Sequence, residues 1–410
     1  MDALAFRGIR YASSERFGPA QVLPFRGPPV AGERGPVSPQ ARSRLEMVMG
    51  PAAPLRQDEH CQVLSVFTPS RRGKRPVMVF VHGGAFITGG GELPWYDGGK
   101  LAAEGDIVVV TVTYRSGAFG HLHLSGSSGP SPGTSDQIAA LEWVKSNIAA
   151  FGGDCDRVTV CGHSAGAFSI VWILASGLGG KLFHRAILQS GGGGVSRTRA
   201  EAESISLEFL QFLGSDPHAA SANEIVSTQR RLSQTRGQLV DWLPVVPDDP
   251  SPSNVDIISG WTREDALPFA LLSAGRAPGA DSAIVQLKPL ADPMTSIFIT
   301  AARELAARTR AAGNRAWLYR FEWAAPGTGL GAPHCIELPF LLGHQDDWRQ
   351  APMLGHVPWA EIEAQGRTVR AAWASFVHGN APAADWEMSS AGAQSVHVIP
   401  SSRAGHTSSA

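Results

Sequence analysis

Charge is scarce in this 410-residue chain. Asp, Glu, Lys and Arg make up 17% of it against a usual ~25%, and 35 basic against 36 acidic side chains leave a net charge of −1. So little charge, so evenly divided, supplies neither the basic stripe of a nucleic-acid groove nor a polybasic membrane patch. Long apolar runs are also missing. The most apolar stretch, residues 168–178, is shorter than the ~20 residues a bilayer requires and is broken by Ser169, Ser176 and Gly177. No membrane span is therefore expected. The N-terminal MDALAFRGIR has no basic region leading into an apolar run, so no secretory signal is expected and a cytoplasmic location is the default. Internal repeats and a clean linker are absent too. That favours one domain over residues 1–398, with the polar tail 399–410 expected to be disordered.

Cysteine is rare, at four residues. Cys155 and Cys161 bracket an apparent strand, DRVTV, whose extended length is about 20 Å. A disulfide joins Cα atoms within about 7 Å, so these two cannot pair. Cys61 and Cys335 are remote from each other in sequence. Reduced thiols are expected, in keeping with a reducing compartment. No Cys/His spacing resembles a zinc site, and no metal is expected. His121 and His123 alternate like strand neighbours and, lacking a third ligand, read as surface residues.

What the chain does have is apolar residues, 43% of it and spread along its length, which excludes disorder. Glycine (46) and proline (29) together reach about 18% against a typical ~12%, without period, as in a loop-rich globular enzyme. Short β-branched runs read as buried parallel strands at 77–81, 107–113, 158–161, 186–189 and 316–321. Helical patterns lie between them. The clearest covers 136–149, with Ile138, Leu141, Val144 and Ile148 on one stripe and Thr134 or Ser135 as N-cap. Others cover 295–312, stopped by Gly313, and 362–377, ended by Gly379 and Pro382. Alternation of strand and helix predicts a doubly wound, mostly parallel α/β sheet. Residues 1–56 read as edge strands and loops, and 196–250 as partly helical before a proline-rich stretch.

The segment VTVCGHSAGAFSIVWIL carries the chemistry. Gly162-His163-Ser164-Ala165-Gly166 fits G-x-S-x-G, in which a serine sits on a strained turn between a strand and a helix, flanked by glycines because a Cβ there would clash. The motif alone is weak, since chance supplies about half a match in a chain of this composition. Its context strengthens it, because an apolar strand ends at Cys161 and a helix-compatible run starts at Gly166. Acyl transfer to such a serine needs donors for the oxyanion. The backbone N–H of Ala165 offers one, and the loop His82-Gly83-Gly84-Ala85-Phe86, just after the strand VMVFV, is placed to offer others.

A serine nucleophile also needs a histidine to take its proton and an acid to orient that histidine. In an α/β-hydrolase the chain order is serine, acid, histidine. His334, in GLGAPHCIELPF soon after the strand AWLYRF, stands out, whereas His184, His218, His344 and His356 lie in polar or unplaced contexts. For the acid, Glu264 and Asp265 follow a short apolar strand, and neighbouring loop residues point differently, so one of the two reaches the histidine.

The segments FRGIRYA, VMVFVHGGAFITGGG, VTVTYRSGAFG, SDQIAALEWVKSNIAAFGGD, VTVCGHSAGAFS, FHRAILQSG and GAPHCIELPF resemble the type-B carboxylesterases. That family of serine esterases includes bacterial para-nitrobenzyl esterases and the cholinesterases. The resemblance runs from about residue 6 to 377. It implies an α/β-hydrolase fold, Ser164 as acyl-forming nucleophile, His334 as general base and, where the family usually has Glu, Asp265 as the acid, with Glu264 the alternative. It places oxyanion donors at Gly84, Ala85 and Ala165 and implies no cofactor or metal; with no lysine or arginine cluster to mark an anion site, neutral short-chain or aryl esters are the expected substrates, with no macromolecular partner. The oligomeric state stays open. Acyl transfer to an alcohol, lactone hydrolysis or a non-catalytic binding role are the alternatives on the same fold. The chain departs from the family at His163, where Glu is usual, at Thr113-Tyr114-Arg115-Ser116-Gly117 for NYRLG, and at Cys335, where glycine follows the histidine. Only 69 residues separate Asp265 from His334. A reduced cap is expected from that shortness; the family's usual N-terminal hairpin is also expected to be missing, and from both a shallower, more open pocket.

Overall fold

In the strand Arg75–Val81, Val77, Val79 and Val81 point to one side and Met78 and Phe80 to the other, and all five are buried. Apolar residues on both faces are what a strand between two helical layers requires. The computed structural model describes residues 3–399 except 125, 127–128, 194–195, 238–240, 246–253, 276–281 and 391–393. Among the described residues nine strands form one sheet. In chain order they are β1 (Leu4–Arg10), β2 (Val63–Thr68), β3 (Arg75–Val81), β4 (Val108–Val112), β5 (Gly153–His163), β6 (Arg185–Gln189), β7 (Asp256–Thr262), β8 (Ala316–Phe321) and β9 (Val396–Ile399). Their spatial order is β1-β2-β4-β3-β5-β6-β7-β8-β9; the first two pairings are antiparallel and the rest parallel. The winding direction reverses between β3 and β5, so a crevice opens at the carboxyl ends of those two strands.

The main helices are α1 (Pro132–Asn147), α2 (Ala165–Ala175), α3 (Arg199–Leu213), α4 (Ala222–Arg236), α5 (Leu267–Ser273), α6 (Ser282–Ala311) and α7 (Trp359–His378). Trp373 and Phe376 of α7 pack on the Met78/Phe80 face, and Trp143 of α1, Ile170 of α2 and Leu305 of α6 on the Val77/Val79 face. No helix among the described residues is long and apolar enough to cross a membrane.

Several local expectations need correction. Helix α1 begins at Pro132, before the expected Asp136. Proline at the first helical position needs no N–H partner and brings a helical φ. Neither Thr134 nor Ser135 caps the helix: the Thr134 hydroxyl lies 3.0 Å from Ser131 Oγ, and Ser135 Oγ accepts the Ala20 N–H at 3.0 Å. Helix α6 starts well before Thr295 and runs through Pro289 and Pro293, which four-residue spacing puts on one face. His121 and His123 are neither strand nor surface. His121 ends the short helix Gly117–His121, both rings are buried, and His121 Nδ1 lies 3.2 Å from Ser131 Oγ. The N-terminal region, expected to lack a hairpin, pairs Ala12–Ser13 with Gln21–Val22 outside the main sheet. Ile399 closes β9; the rest of the expected tail, like most of the proline-rich stretch 244–253, lies outside the described residues.

Two buried polar clusters fix the loops at the carboxyl edge. Arg115, just after β4, donates Nε and Nη2 to the two oxygens of Asp136 in α1 at 2.9 and 2.8 Å, and Asp136 also accepts the Arg115 backbone N–H at 2.9 Å. Both side chains are shielded from water. The second cluster lies under the sheet edge. Glu337 Oε1 accepts from Gln189 Nε2 at 2.8 Å and from the Tyr319 hydroxyl at 3.1 Å, and the Cys161 thiol reaches Gln189 Oε1 at 3.2 Å. Burial, then the nearby Asp265 charge, pushes the Glu337 carboxyl up to about 8, against the two hydrogen bonds.

Each cluster yields a test. Asp136→Ala strands a buried guanidinium, and urea unfolding should report a loss of about 3–5 kcal/mol. Glu337 binds its proton more tightly folded than unfolded, so wild-type stability falls as pH rises from the usual carboxyl value toward 8. Glu337→Gln removes that proton linkage. Its stability relative to wild type should therefore climb across this window and level off above it, as read from thermal melts over pH; a flat difference contradicts the raised carboxyl.

Candidate active site

The site is assembled from the loops that leave the carboxyl ends of β3, β5, β7 and β8. At the end of β5 the chain bends at Ser164, with φ 53° and ψ −120°, and α2 starts at the next residue. Two glycines make that bend possible. A Cβ on Gly166 would lie 2.1 Å from the Val81 carbonyl oxygen, and one on Gly162 would lie 2.6 Å from the Gly166 backbone. The helix start is thus pressed against the end of β3, and no side chain fits between. The Ser164 N–H donates to Gln189 O at 2.8 Å and its carbonyl accepts from Phe168 N–H at 3.0 Å, which holds the turn from both sides.

The loop after β3 lies across from this turn. Gly84 has φ 114°, and a Cβ there would meet Thr88 O at 2.0 Å; Ala85 and Phe86 follow with φ 54° and 61°. Left-handed backbone at residues bearing a Cβ stores of order 1–3 kcal/mol each and persists only where the surroundings dictate it. His82 supplies part of that constraint. Its ring stacks on Tyr114 at 4.3 Å, its Nδ1 lies 2.7 Å from Gly83 O, and its own carbonyl accepts the Tyr114 hydroxyl at 2.8 Å. Burial pushes the imidazole down to about 4, so at neutral pH it is uncharged, with Nδ1–H donating to Gly83. Among the described residues, no hydrogen bond engages the N–H groups of Gly84, Ala85 and Ala165.

His334 arrives in the loop after β8 and is fully buried. Its Nδ1 lies 2.5 Å from Asp265 Oδ1, and Asp265 Oδ2 accepts the Thr262 N–H at 3.0 Å. That network leaves His334 Nε2 with no partner among the described residues. The imidazole is ringed by Phe269 (5.0 Å), Phe298 (5.7 Å) and His163 (4.6 Å between ring centroids). Of the two candidate acids, Asp265 therefore meets the ring. Glu264 turns to the backbone instead: Oε2 accepts the Ala332 N–H and Oε1 accepts from Arg263 Nε, both at 2.7 Å, so Glu264 tethers the loop that carries His334.

Ser164 and His334 line two adjoining cavities that share Gly84 and Thr88. A cavity of about 380 Å³ is lined by His334, Cys335, His163 and Gly84; a smaller one beside it is lined by Ser164, Gly84 and Phe269. No hydrogen bond joins His334 Nε2 to Ser164. His163, buried next to His334, is pushed well below the usual imidazole range by burial and by that neighbour, so it is neutral.

The expected shallow, open pocket is not what forms. Ser164 is only 8% exposed. Residues 40–55, together with Phe298 of α6, wall the site in place of a larger insert. Those wall residues escaped sequence reasoning because they carry no motif and reach the site only through packing. Arg42 and Arg44 also line these cavities, although no basic cluster was expected there.

The profile of the carboxylesterase family matches residues 2–272. A probable N-octanoylanthranilate hydrolase of Rhodococcus erythropolis is 36% identical over 97% of this chain and 94% of its own. The para-nitrobenzyl esterase of Bacillus subtilis is 33% identical over 80% of this chain and 76% of its own, and the phenmedipham hydrolase of Pseudarthrobacter oxydans 31% over 93% and 87%. Among solved structures, a thermophilic para-nitrobenzyl esterase superposes with TM-score 0.82 at 28% identity, covering 97% of this chain and 92% of that one. A Geobacillus stearothermophilus carboxylesterase gives TM-score 0.79 at 28% identity, over 97% and 93%. With its sheet order, its serine bend and these matches, the chain belongs to the carboxylesterase family, serine hydrolases of carboxylic esters with the α/β-hydrolase fold.

Proposed function

We propose that Ser164, His334 and Asp265 carry out hydrolysis of neutral carboxylic esters through an acyl-enzyme. The observation that carries this reading is the pairing of His334 Nδ1 with Asp265 at 2.5 Å, which leaves Nε2 as the basic nitrogen of a ring packed 4.6 Å from His163, the residue before the bend. Nε2 takes the Ser164 proton as Oγ attacks the carbonyl carbon. The oxyanion that forms is met by the N–H groups of Gly84, Ala85 and Ala165. Each such donor is typically worth ~3–4 kcal/mol to the transition state. The proton then passes from Nε2 to the departing alcohol, and a water repeats the cycle to release the acid. Asp265 keeps the imidazole in the tautomer with Nδ1–H and steadies the imidazolium.

Apolar walls beside Ser164, from Ile87, Leu45, Phe269 and Leu272, suit an uncharged acyl or alcohol group. Neutral His163 brings no negative charge toward a cationic substrate. The position of Arg42 and Arg44 on the cavity walls favours a second substrate class, N-acyl aromatic carboxylates, of the kind named for the Rhodococcus relative. Four free cysteines fit a cytoplasmic setting.

Ser164→Ala should cost about 10⁶-fold in turnover of para-nitrophenyl esters. Asp265→Asn should cost about 10⁴-fold by holding the wrong tautomer. Glu264→Gln should act on stability more than on turnover. Steady-state kinetics on the purified variants checks this; undiminished hydrolysis by the serine variant refutes the assignment.

A further inference from the structure

Beside the reacting serine lies a donor set of which ester hydrolysis uses only His334. His163, His334 and Cys335, all buried, present one ring nitrogen each from the histidines and a thiol sulfur, with the three atoms within 4.8 Å of one another. All three residues line the ~380 Å³ cavity, which gives an ion a way in and room for a water as fourth ligand. His163 Nε2 and His334 Nε2 are both buried without hydrogen-bond partners. Cys335 holds its thiol there at φ 78°. Left-handed backbone of this kind costs a residue with a Cβ roughly 1–2 kcal/mol, a penalty glycine would escape.

We infer that this cluster binds a thiophilic divalent cation of the zinc class, and that the bound ion switches hydrolysis off. His334 is already arranged as a zinc ligand usually is. Its Nδ1 is held by the Asp265 carboxylate, the outer partner that orients a metal-bound imidazole and raises its basicity, so Nε2 is the coordinating atom. Two imidazoles and a thiolate are a donor set that suits zinc better than magnesium or calcium. At Zn–N of about 2.0–2.1 Å and Zn–S of about 2.3 Å, tetrahedral donors sit about 3.3–3.6 Å apart, so the cluster closes by about 1 Å through side-chain rotation. Binding forms two Zn–N bonds and one Zn–S bond, and the thiol proton of Cys335 leaves to solvent. The inhibitory half of the inference rests on the function proposed above. The lone pair on Nε2 that accepts the serine proton is the one the ion occupies, so a metal-bound enzyme has no base.

The test uses full-length, chelator-treated protein with Zn²⁺, measured by competition with a chromophoric chelator, and with Co²⁺, whose thiolate charge-transfer band reports a sulfur ligand. Wild type should bind one ion in this site, show the band, and lose para-nitrophenyl ester hydrolysis in step with occupancy. Cys335→Gly and His163→Gln, checked for folding by their melting temperatures, should each weaken binding by at least about tenfold. The glycine variant relieves the backbone at φ 78°, which offsets part of the loss of a buried side chain. Ser164→Ala and Cys155→Ser should bind as wild type does; the latter controls for the second thiol cluster, Asp154–Cys155–Asp156. A band that survives Cys335→Gly but vanishes in Cys155→Ser overturns the site. No stoichiometric binding in an enzyme whose hydrolysis depends on Ser164 overturns it as well, and leaves the esterase reading standing. Tight binding through Cys335 with hydrolysis undiminished at full occupancy overturns the inhibitory role.

Discussion

The whole site depends on one close approach: the first turn of α2 against the last residue of β3. With a Cβ on Gly166 falling only 2.1 Å from Val81 O, no side chain is tolerated there, the helix begins one peptide after β5 ends, and Ser164 is left at the apex. A serine at φ 53° is strained by of order 1–3 kcal/mol, and it stays so because β5 and β6 fix it. Gln189 is the shared anchor. Its backbone carbonyl holds the Ser164 N–H, and its side chain holds Glu337, three residues past His334. Nucleophile and base are therefore referred to the same strand, although 170 positions separate them in the chain. The rigidity of a parallel sheet substitutes for proximity in sequence.

Electrostatics around His334 are divided between two buried carboxylates. Asp265 pairs with the imidazole, while burial and the Asp265 charge favour the protonated form of Glu337, whose hydrogen bonds go to Gln189 and Tyr319 rather than to the ring. Two buried carboxylates that feel one another cannot both ionise cheaply, and here it is Glu337 that is pushed toward its protonated form. On the cavity side His163 is neutral for a parallel reason, since a charge there would be both desolvated and set against its histidine neighbour. The imidazole of His334 thus faces one fixed anion and otherwise uncharged aromatic surroundings, a setting in which a developing imidazolium is stabilised from one direction only.

What could be read in the sequence follows from how local each cause is. The serine bend, the glycine loop after β3 and the strand pattern are dictated by neighbours a few residues away, and each announces itself in a motif or a period. The choice between Glu264 and Asp265 is not local. Both follow β7 on the same short loop, and which one meets His334 is decided by the isolated pairing of Glu264 with Pro333, which turns its side chain along the backbone and leaves Asp265 facing the ring. His121 and His123 mislead for a similar reason: alternation over three residues suggests a surface strand, but His121 ends a helical turn packed on Phe86 at 5.1 Å, and His123 is held against Ser206 and Arg199. Thr134 and Ser135 looked like caps, and their hydroxyls were already engaged elsewhere. Helix α6 was invisible before Thr295 because two prolines argue against a helix wherever tertiary packing is not known.

The shortness of the segment between Asp265 and His334 has a structural consequence different from simple opening. Removing cap residues removes wall, and a buried imidazole flanked by Phe269 and Phe298 would then meet water, which weakens every directed interaction in the site. Here the wall is rebuilt from two sources that a shortened insert does not touch. Residues 40–55, with only one four-residue helix, Glu46–Met49, cross the mouth, and α6 lays Phe298 over the imidazole. Because such a wall has few regular backbone hydrogen bonds of its own, its contacts are set by side chains such as Leu45 and Met49 packed into the core. The reacting groups are fixed by the sheet, the substrate-facing surface by a loop. Change in residues 40–55 can therefore alter which esters fit while leaving the bend at Ser164 and the His334–Asp265 pair undisturbed.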